Sequence, residues 1–303
     1  QELGQFMGQP AFSQQFGSAV TLSMVLGFLI NVFLAKFTKW NYIYLTGHMM
    51  FWTAMIFAGI VVNTVGTAVS MWKLILFLSV FLGLYWTIQP ALTQPFMRKI
   101  TGGDQIALGH TSASVSLIGA WLGKIFGNKQ QDSESLKLPK GLEFLRDSNV
   151  IIALIMSALY LIGALIILAK PETPSIIELK ALAGDQNFAI FSLIQGFQFA
   201  GGIAVVLFGV RMLIGEIVPA FKGIADTIVP NAKPALDCPI VYPYAPTASI
   251  LGFLGCFVGT LIWLVVLGRT TGYVFVPTMI ALFFHSATAG VFGNSTGGIR
   301  GAL

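Results

Sequence analysis

An all-α integral membrane protein is the fold this sequence predicts, and three observations carry that prediction. Of 303 residues, 55% are hydrophobic and only 10% charged, where a soluble domain carries about 25% charged residues. Mean hydropathy is correspondingly high, at +0.81. Apolar runs near the ~20 residues that cross a bilayer recur along the chain, and they are continuously apolar. The period-two alternation of a membrane barrel is missing.

Seven spans are expected, at 15–37, 42–63, 72–96, 149–169, 187–217, 247–268 and about 272–293. Basic residues mark one side. Lys36 and Lys39 follow the first span, Arg98 and Lys99 the third, and Lys124 opens a basic loop over 124–148. Short basic loops stay cytoplasmic, so these connections are placed inside and the mildly acidic 171–186 connection outside. Lys73 and Arg269 then fall outside. The stretch 101–123 must start and finish on the cytoplasmic side, and its Gly, Ser and Thr content is unsuited to lipid. It is expected to be a re-entrant hairpin buried in protein. A second irregular stretch, 222–246, is expected to be unwound, because Pro230, Pro234, Pro239, Pro243 and Pro246 oppose regular helix. The whole chain, 1–303, reads as one transmembrane domain. Its ends, Gln1 and a final Gly-rich segment to Leu303, read as those of a partial chain.

An internal repeat is suggested by Thr21 to Leu29 and Thr247 to Leu254, which share a Thr-x-Ser start and a Leu-Gly-Phe-Leu end. Each copy precedes a basic turn and then a span with a histidine. The charge-based topology runs the two copies in opposite directions, the inverted arrangement of many transporters.

The three histidines all lie in Gly- or hydroxyl-containing breaks of apolar segments: Thr46-Gly47-His48, Gly109-His110-Thr111 and His285-Ser286. A protonatable ring at membrane depth is costly unless it meets partners, water or a ligand. His48 reads as a hydrogen-bonding group for a polyhydroxyl or carboxyl ligand in preference to a ring bonded to a neighbouring helix carbonyl, and an interhelical contact would explain His285 equally well. For His110, with Thr111, Ser112 and Ser114 beside it, a ligand site is the stronger reading. Asp237 stands between Pro234 and Pro239, followed by Tyr242-Pro243-Tyr244, a stretch expected to be extended and able to stack on a ligand. Its plainer reading is a solvated acid near Lys233. Arg211 and Glu216 are five apart and do not share a helix face, so both read as structural or partner-facing.

Several classes are excluded. There is no P-loop, HExxH or G-x-S-x-G motif, so no catalytic residue and no cofactor are expected. A metal on the three histidines ranks below an organic ligand, since no second shell of acids or cysteines accompanies them. Cys238 and Cys256 make no disulfide framework and read as small buried hydrophobes. The net charge of +5 is spread over connections without the aromatic-interleaved patch that would suggest nucleic acid.

Seven segments together resemble the ascorbate-type IIC permease of the bacterial phosphoenolpyruvate-dependent phosphotransferase system, within the ascorbate–galactitol superfamily. They are 45–51 (Leu-Thr-Gly-His-Met-Met-Phe), 108–110, 132–139 (Asp-Ser-Glu-Ser-Leu-Lys-Leu-Pro), 209–212, 235–238 (Ala-Leu-Asp-Cys), 244–246 and 283–292. The resemblance covers essentially the whole chain, and the family is longer. It implies a multi-pass protein of the bacterial cell membrane, surrounded by lipid and assembled as a homodimer. Each protomer would pair a substrate-carrying core with a scaffold in an elevator-like motion. It further implies partner subunits IIA and IIB, with IIB phosphorylating the incoming L-ascorbate or related sugar acid from its own cysteine. This chain would therefore transport rather than catalyse.

By the same resemblance, substrate contacts fall on His48, His110, Thr111 and Asp237, with Trp52, His285 and Ser286 as further candidates. Trp52 and Thr111 stand where the ascorbate-type pattern has Gln, which changes the hydrogen bonds offered to a sugar. The rival expectations are an ion- or proton-coupled transporter of a small polar solute, and a non-transporting scaffold.

Overall fold

In lipid, backbone N–H and C=O groups must be satisfied within the chain, so long apolar runs become helices. The computed structural model describes residues 10–136, 148–169, 174–271 and 279–303. Helices α1 (Pro10–Phe37), α2 (Gly47–Val65) and α3 (Met71–Thr101) come first, then a short α4 (Ala113–Phe126). After them stand α5 (Ser148–Leu168), α6 (Pro174–Ala183), α7 (Phe188–Thr227), α8 (Pro246–Thr270) and α9 (Met279–Ala302). Among the described residues five helices have the length and apolar character to cross a membrane: α1, α2, α3, and stretches of α7 and α8. This is an all-α, multi-pass membrane protein. The 14 residues of α4 extend about 21 Å at 1.5 Å per residue, short of a ~30 Å hydrocarbon core.

Several expected boundaries move. The run 42–63 is not one helix: a strand β1 (Tyr42–Tyr44) precedes α2, which begins only at Gly47. The unwound segment 222–246 is shorter than expected, because α7 remains helical to Thr227. Within it, β3 (Lys233–Leu236) leads into a 3-10 helix, Cys238–Tyr244, so Tyr242 to Tyr244 are not extended. Proline tolerates the tight 3-10 turn, whose fixed φ it shares. Parts of the 124–148 loop and the start of the last expected span lie outside the described residues.

The strands were not foreseen. With β2 (Ala107–Leu108) they form a three-stranded parallel sheet in the order β1-β3-β2. The pairs are Tyr42 with Lys233 through Tyr44 with Ala235, and Ala107 with Ala235 and Leu108 with Leu236. Helices α1, α3 and α7 each lead directly into one strand, so the same helix-then-strand unit occurs three times.

The sheet is the seam between two cores. Side chains alternate across a strand. Ala107 and Ala235 join the core of α1, α2 and α3 around Tyr44 and Trp86, while Leu108 and Leu236 join the core built from α4, α5, α7, α8 and α9. A sheet edge buried away from water needs partners for its backbone groups. Side-chain amides supply them. At the β1 edge, Asn31 of α1 donates to the Tyr42 carbonyl at 3.0 Å and accepts from the Tyr44 N–H at 3.0 Å. Around β2, Gln94 of α3 donates to the Ile106 carbonyl at 3.1 Å and Gln89 to the His110 carbonyl at 2.6 Å.

Candidate functional site

Parallel strands end on the same side, and the polar residues of interest follow those ends. His48 lies in the first turn of α2, four residues past Tyr44. His110 lies two residues past Leu108, and Asp237 directly follows Leu236. Ligand sites of open parallel sheets commonly sit outside the carboxyl ends of the strands.

Asp237 is the centre of the arrangement. His48 Nε2 is 3.3 Å from one carboxylate oxygen, Oδ2. His110 Nε2 is 3.7 Å from the other, Oδ1, which also accepts the Cys238 N–H at 2.7 Å. The last bond caps the 3-10 helix and fixes the carboxylate direction. Lys233, the neighbour that a solvated acid would have used, is paired instead with Asp104 at 2.6 Å.

The two imidazoles differ. His110 is 3% exposed and forms the floor, whereas the His48 side chain is 55% exposed and forms the open rim. The Ser112 N–H donates to His110 Nδ1 at 2.9 Å. A backbone N–H can only donate, so Nδ1 holds a lone pair and the neutral ring carries its proton on Nε2, facing Asp237. This wiring bears on metal binding. Ligand atoms of His110, Asp237 and Cys238 lie within 4.8 Å of one another. A metal at His110 Nε2 would require the proton on Nδ1, directed at the Ser112 N–H, the reverse of the second shell that metal-ligating histidines use. The cluster is suited to an organic ligand.

His285 of α9 completes one wall. Its ring stands edge-on to His110, with centroids 5.0 Å apart, and its Nε2 is 3.3 Å from Thr111 Oγ1. Thr111 also lies 3.4 Å from Met49 Sδ, so it touches both α2 and α9. Thus His48, His110, Thr111, Asp237 and His285 come together from four different segments, His110 and Thr111 being adjacent. Trp52 lies one turn beyond His48 on α2 and is 51% exposed, on the same helix face. Ser286 is turned elsewhere: its hydroxyl donates to the Leu282 carbonyl of its own helix, and it lines a separate cavity with Gly252 and Gly290.

Local sequence explains the close approach. Gly109 donates to the Leu236 carbonyl at 2.6 Å, and a Cβ at Gly109 would stand 2.5 Å from the Ala235 carbonyl oxygen. Only glycine fits there. Tyr242, expected to stack on a ligand, is buried, and its hydroxyl donates to the Phe284 carbonyl at 2.9 Å. It holds the residue before His285 against the 3-10 helix. Sequence reading missed this role and those of Asn31, Gln89 and Gln94. The available signal was an amide inside an otherwise apolar helix, which lipid does not tolerate without a partner.

Residues 7–303 match the family described as the sugar-specific permease component of the phosphotransferase system. The chain belongs to that family. One curated relative is the ascorbate-specific EIIC component of the phosphotransferase system from Mycoplasma pneumoniae, 26% identical over 332 aligned residues. The alignment takes in 98% of this chain and 50% of the relative, so the chain spans about half the length of the permease it matches. The histidine and aspartate cluster is therefore a feature of a sugar permease component.

Proposed function

We propose that this permease component binds L-ascorbate or a related sugar acid at the Asp237 cluster and carries it across the bacterial cell membrane. Phosphorylation would then fall to a separate IIB subunit fed by IIA. The observation that carries the reading is one carboxylate held between two imidazoles at the carboxyl ends of three parallel strands. Asp237 accepts from sugar hydroxyls, while His48, His110 and His285 donate to them or to an acid oxygen. Thr111 bonds a further hydroxyl, and Trp52 offers an exposed aromatic face for a ring. Thr46 and Ser112 add two buried hydroxyls that bond nothing among the described residues. Ser286 supports α9 and reaches the ligand only if its own bond to Leu282 opens. Homodimerisation, with the site-bearing core moving against a scaffold, belongs to this same reading, and so does the inverted relation of α1 and α8.

The test is uptake of labelled L-ascorbate by cells expressing the full-length permease, with and without the IIA and IIB subunits. Uptake that requires both supports the reading. Uptake that persists without them and collapses with an uncoupler replaces it with a proton-coupled transporter, for which the Asp237 and imidazole contacts would form the relay. An absence of saturable binding would leave a scaffold.

A further inference from the structure

The amino end of the same sheet holds a second carboxylate. Asp104 lies three residues before β2, and it receives Arg98 Nε at 2.7 Å and Nη2 at 3.1 Å. Lys233 Nζ reaches it at 2.6 Å and Gln94 Nε2 at 2.8 Å. Arg98 and Gln94 belong to α3, whereas Lys233 is the first residue of β3, the strand that ends at Asp237. The Lys233 ammonium also stands 5.6 Å from the Tyr42 ring of β1. One ion-pair cluster thus grips all three strands at their starts.

This grip meets a specific need. The pairing of β2 with β3 is two residues long, and a one-residue slip turns every side chain to the opposite face. A slipped β3 would carry Asp237 away from both imidazoles. The pairing of β3 with β1 adds only three residues, and such short ladders specify register weakly, whereas a fixed point at the opposite end of a short, stiff strand specifies it well.

We propose that Asp104 and Lys233 are positioning residues for the candidate site: their ion pair, anchored by Arg98, sets the register of β3 and so places Asp237 between His48 and His110. The clamp acts at a distance of about 13 Å, four residues at 3.3 Å each, and touches no ligand. The inference rests on the reading of that cluster as the substrate site, but its test does not need the substrate.

The test is nitrogen NMR of histidine-labelled full-length permease in detergent, comparing wild type with Asp237→Ala, Lys233→Met, Asp104→Asn and Lys233→Arg. Asp237→Ala sets the signature of imidazoles that have lost their carboxylate. Lys233→Met and Asp104→Asn are expected to move the His48 and His110 resonances toward that signature, and Lys233→Arg to leave them at wild-type positions. A merely structural role would lower the thermal midpoint and leave the resonances of the folded protein unchanged. That result, in Lys233→Met or, if this variant fails to fold, in Asp104→Asn, overturns the proposal. Resonances that do not respond even to Asp237→Ala overturn the clamp and the site geometry together. A wild-type protein that shows the expected pattern but does not bind L-ascorbate keeps the clamp and rejects the substrate.

Discussion

The two ends of the small sheet each present one carboxylate to several basic groups, yet they are built differently. Asp104 is held at 2.6–3.1 Å by a guanidinium, an ammonium and an amide, all permanent donors. Asp237 has imidazoles at 3.3 and 3.7 Å, and one of them is half exposed. Short bonds to fixed charges leave little capacity for anything else. Longer contacts to titratable rings leave donors and acceptors that a sugar can take over. The two ends thus differ in the length and charge of their contacts, and a strand of four residues connects them.

The largest effect is expected from Gly109→Ala, which should break both ends at once. The added Cβ meets the Ala235 carbonyl oxygen and forces β2 from β3. Stability should fall by about 2 kcal/mol, and substrate binding should be lost, as read by unfolding in detergent and by calorimetry. Asp237→Ala should separate the ends. Asp237 is partly buried, and a lost hydrogen-bond partner costs ~1–3 kcal/mol, so affinity should fall roughly tenfold to a hundredfold, while loss of its cap on the 3-10 helix should lower the thermal midpoint less than Gly109→Ala does. Equal losses of affinity and stability would erase the distinction between them.

An acid series sharpens the comparison further. Partial burial opposes ionisation of Asp104, but the bonds from Arg98, Lys233 and Gln94 outweigh it and hold its carboxyl well below the usual carboxylate range. A folded value below the unfolded one means that the stabilisation is complete above the unfolded value, about 3.9, and is lost as pH falls through the folded one. The stability difference between wild type and Asp104→Asn should therefore be flat from pH 8 to 5 and shrink below about pH 4, as checked by denaturant titration. The smallest effect belongs to the thiols. Cys238 is buried beneath Tyr242 and Cys256 is exposed on α8. Cys238→Ser with Cys256→Ser should retain substrate uptake and IIB-dependent phosphorylation, and loss of phosphorylation would place chemistry in this chain.

The helices were legible because lipid imposes a pattern that composition cannot hide. Placing His48, His110 and Asp237 in one cluster was likewise within reach, since each is an ionisable residue in or beside an apolar segment, where a partner is needed. The sheet was not legible. Ala107-Leu108 and Lys233-Pro-Ala-Leu236 are too short to show a period, and their pairing joins residues more than a hundred positions apart. Its traces were Asn31, Gln89 and Gln94, amides whose partners lie on β1 or flank β2, which no local pattern announces. The repetition suggested by Leu-Gly-Phe-Leu concerned α1 and α8, whereas the one visible in the structure is a helix leading into a strand and then a polar residue, three times over. Sequence similarity does not reveal it, because the strands share only a backbone direction.

The strand order also has a consequence for biosynthesis. The middle strand of the sheet, β3, is the last to leave the ribosome, and the outer strands β1 and β2 are made first. Until residues 233–236 arrive, β1 and β2 have no strand to pair with and no scaffold for their histidines. The nascent permease must therefore keep a slot open between two inserted helical units, with the amides of Asn31, Gln89 and Gln94 already lining its outer walls. A chain stalled or truncated before Lys233 would contain two of the three histidines and no Asp237, and its unpaired strands would be exposed to membrane quality control.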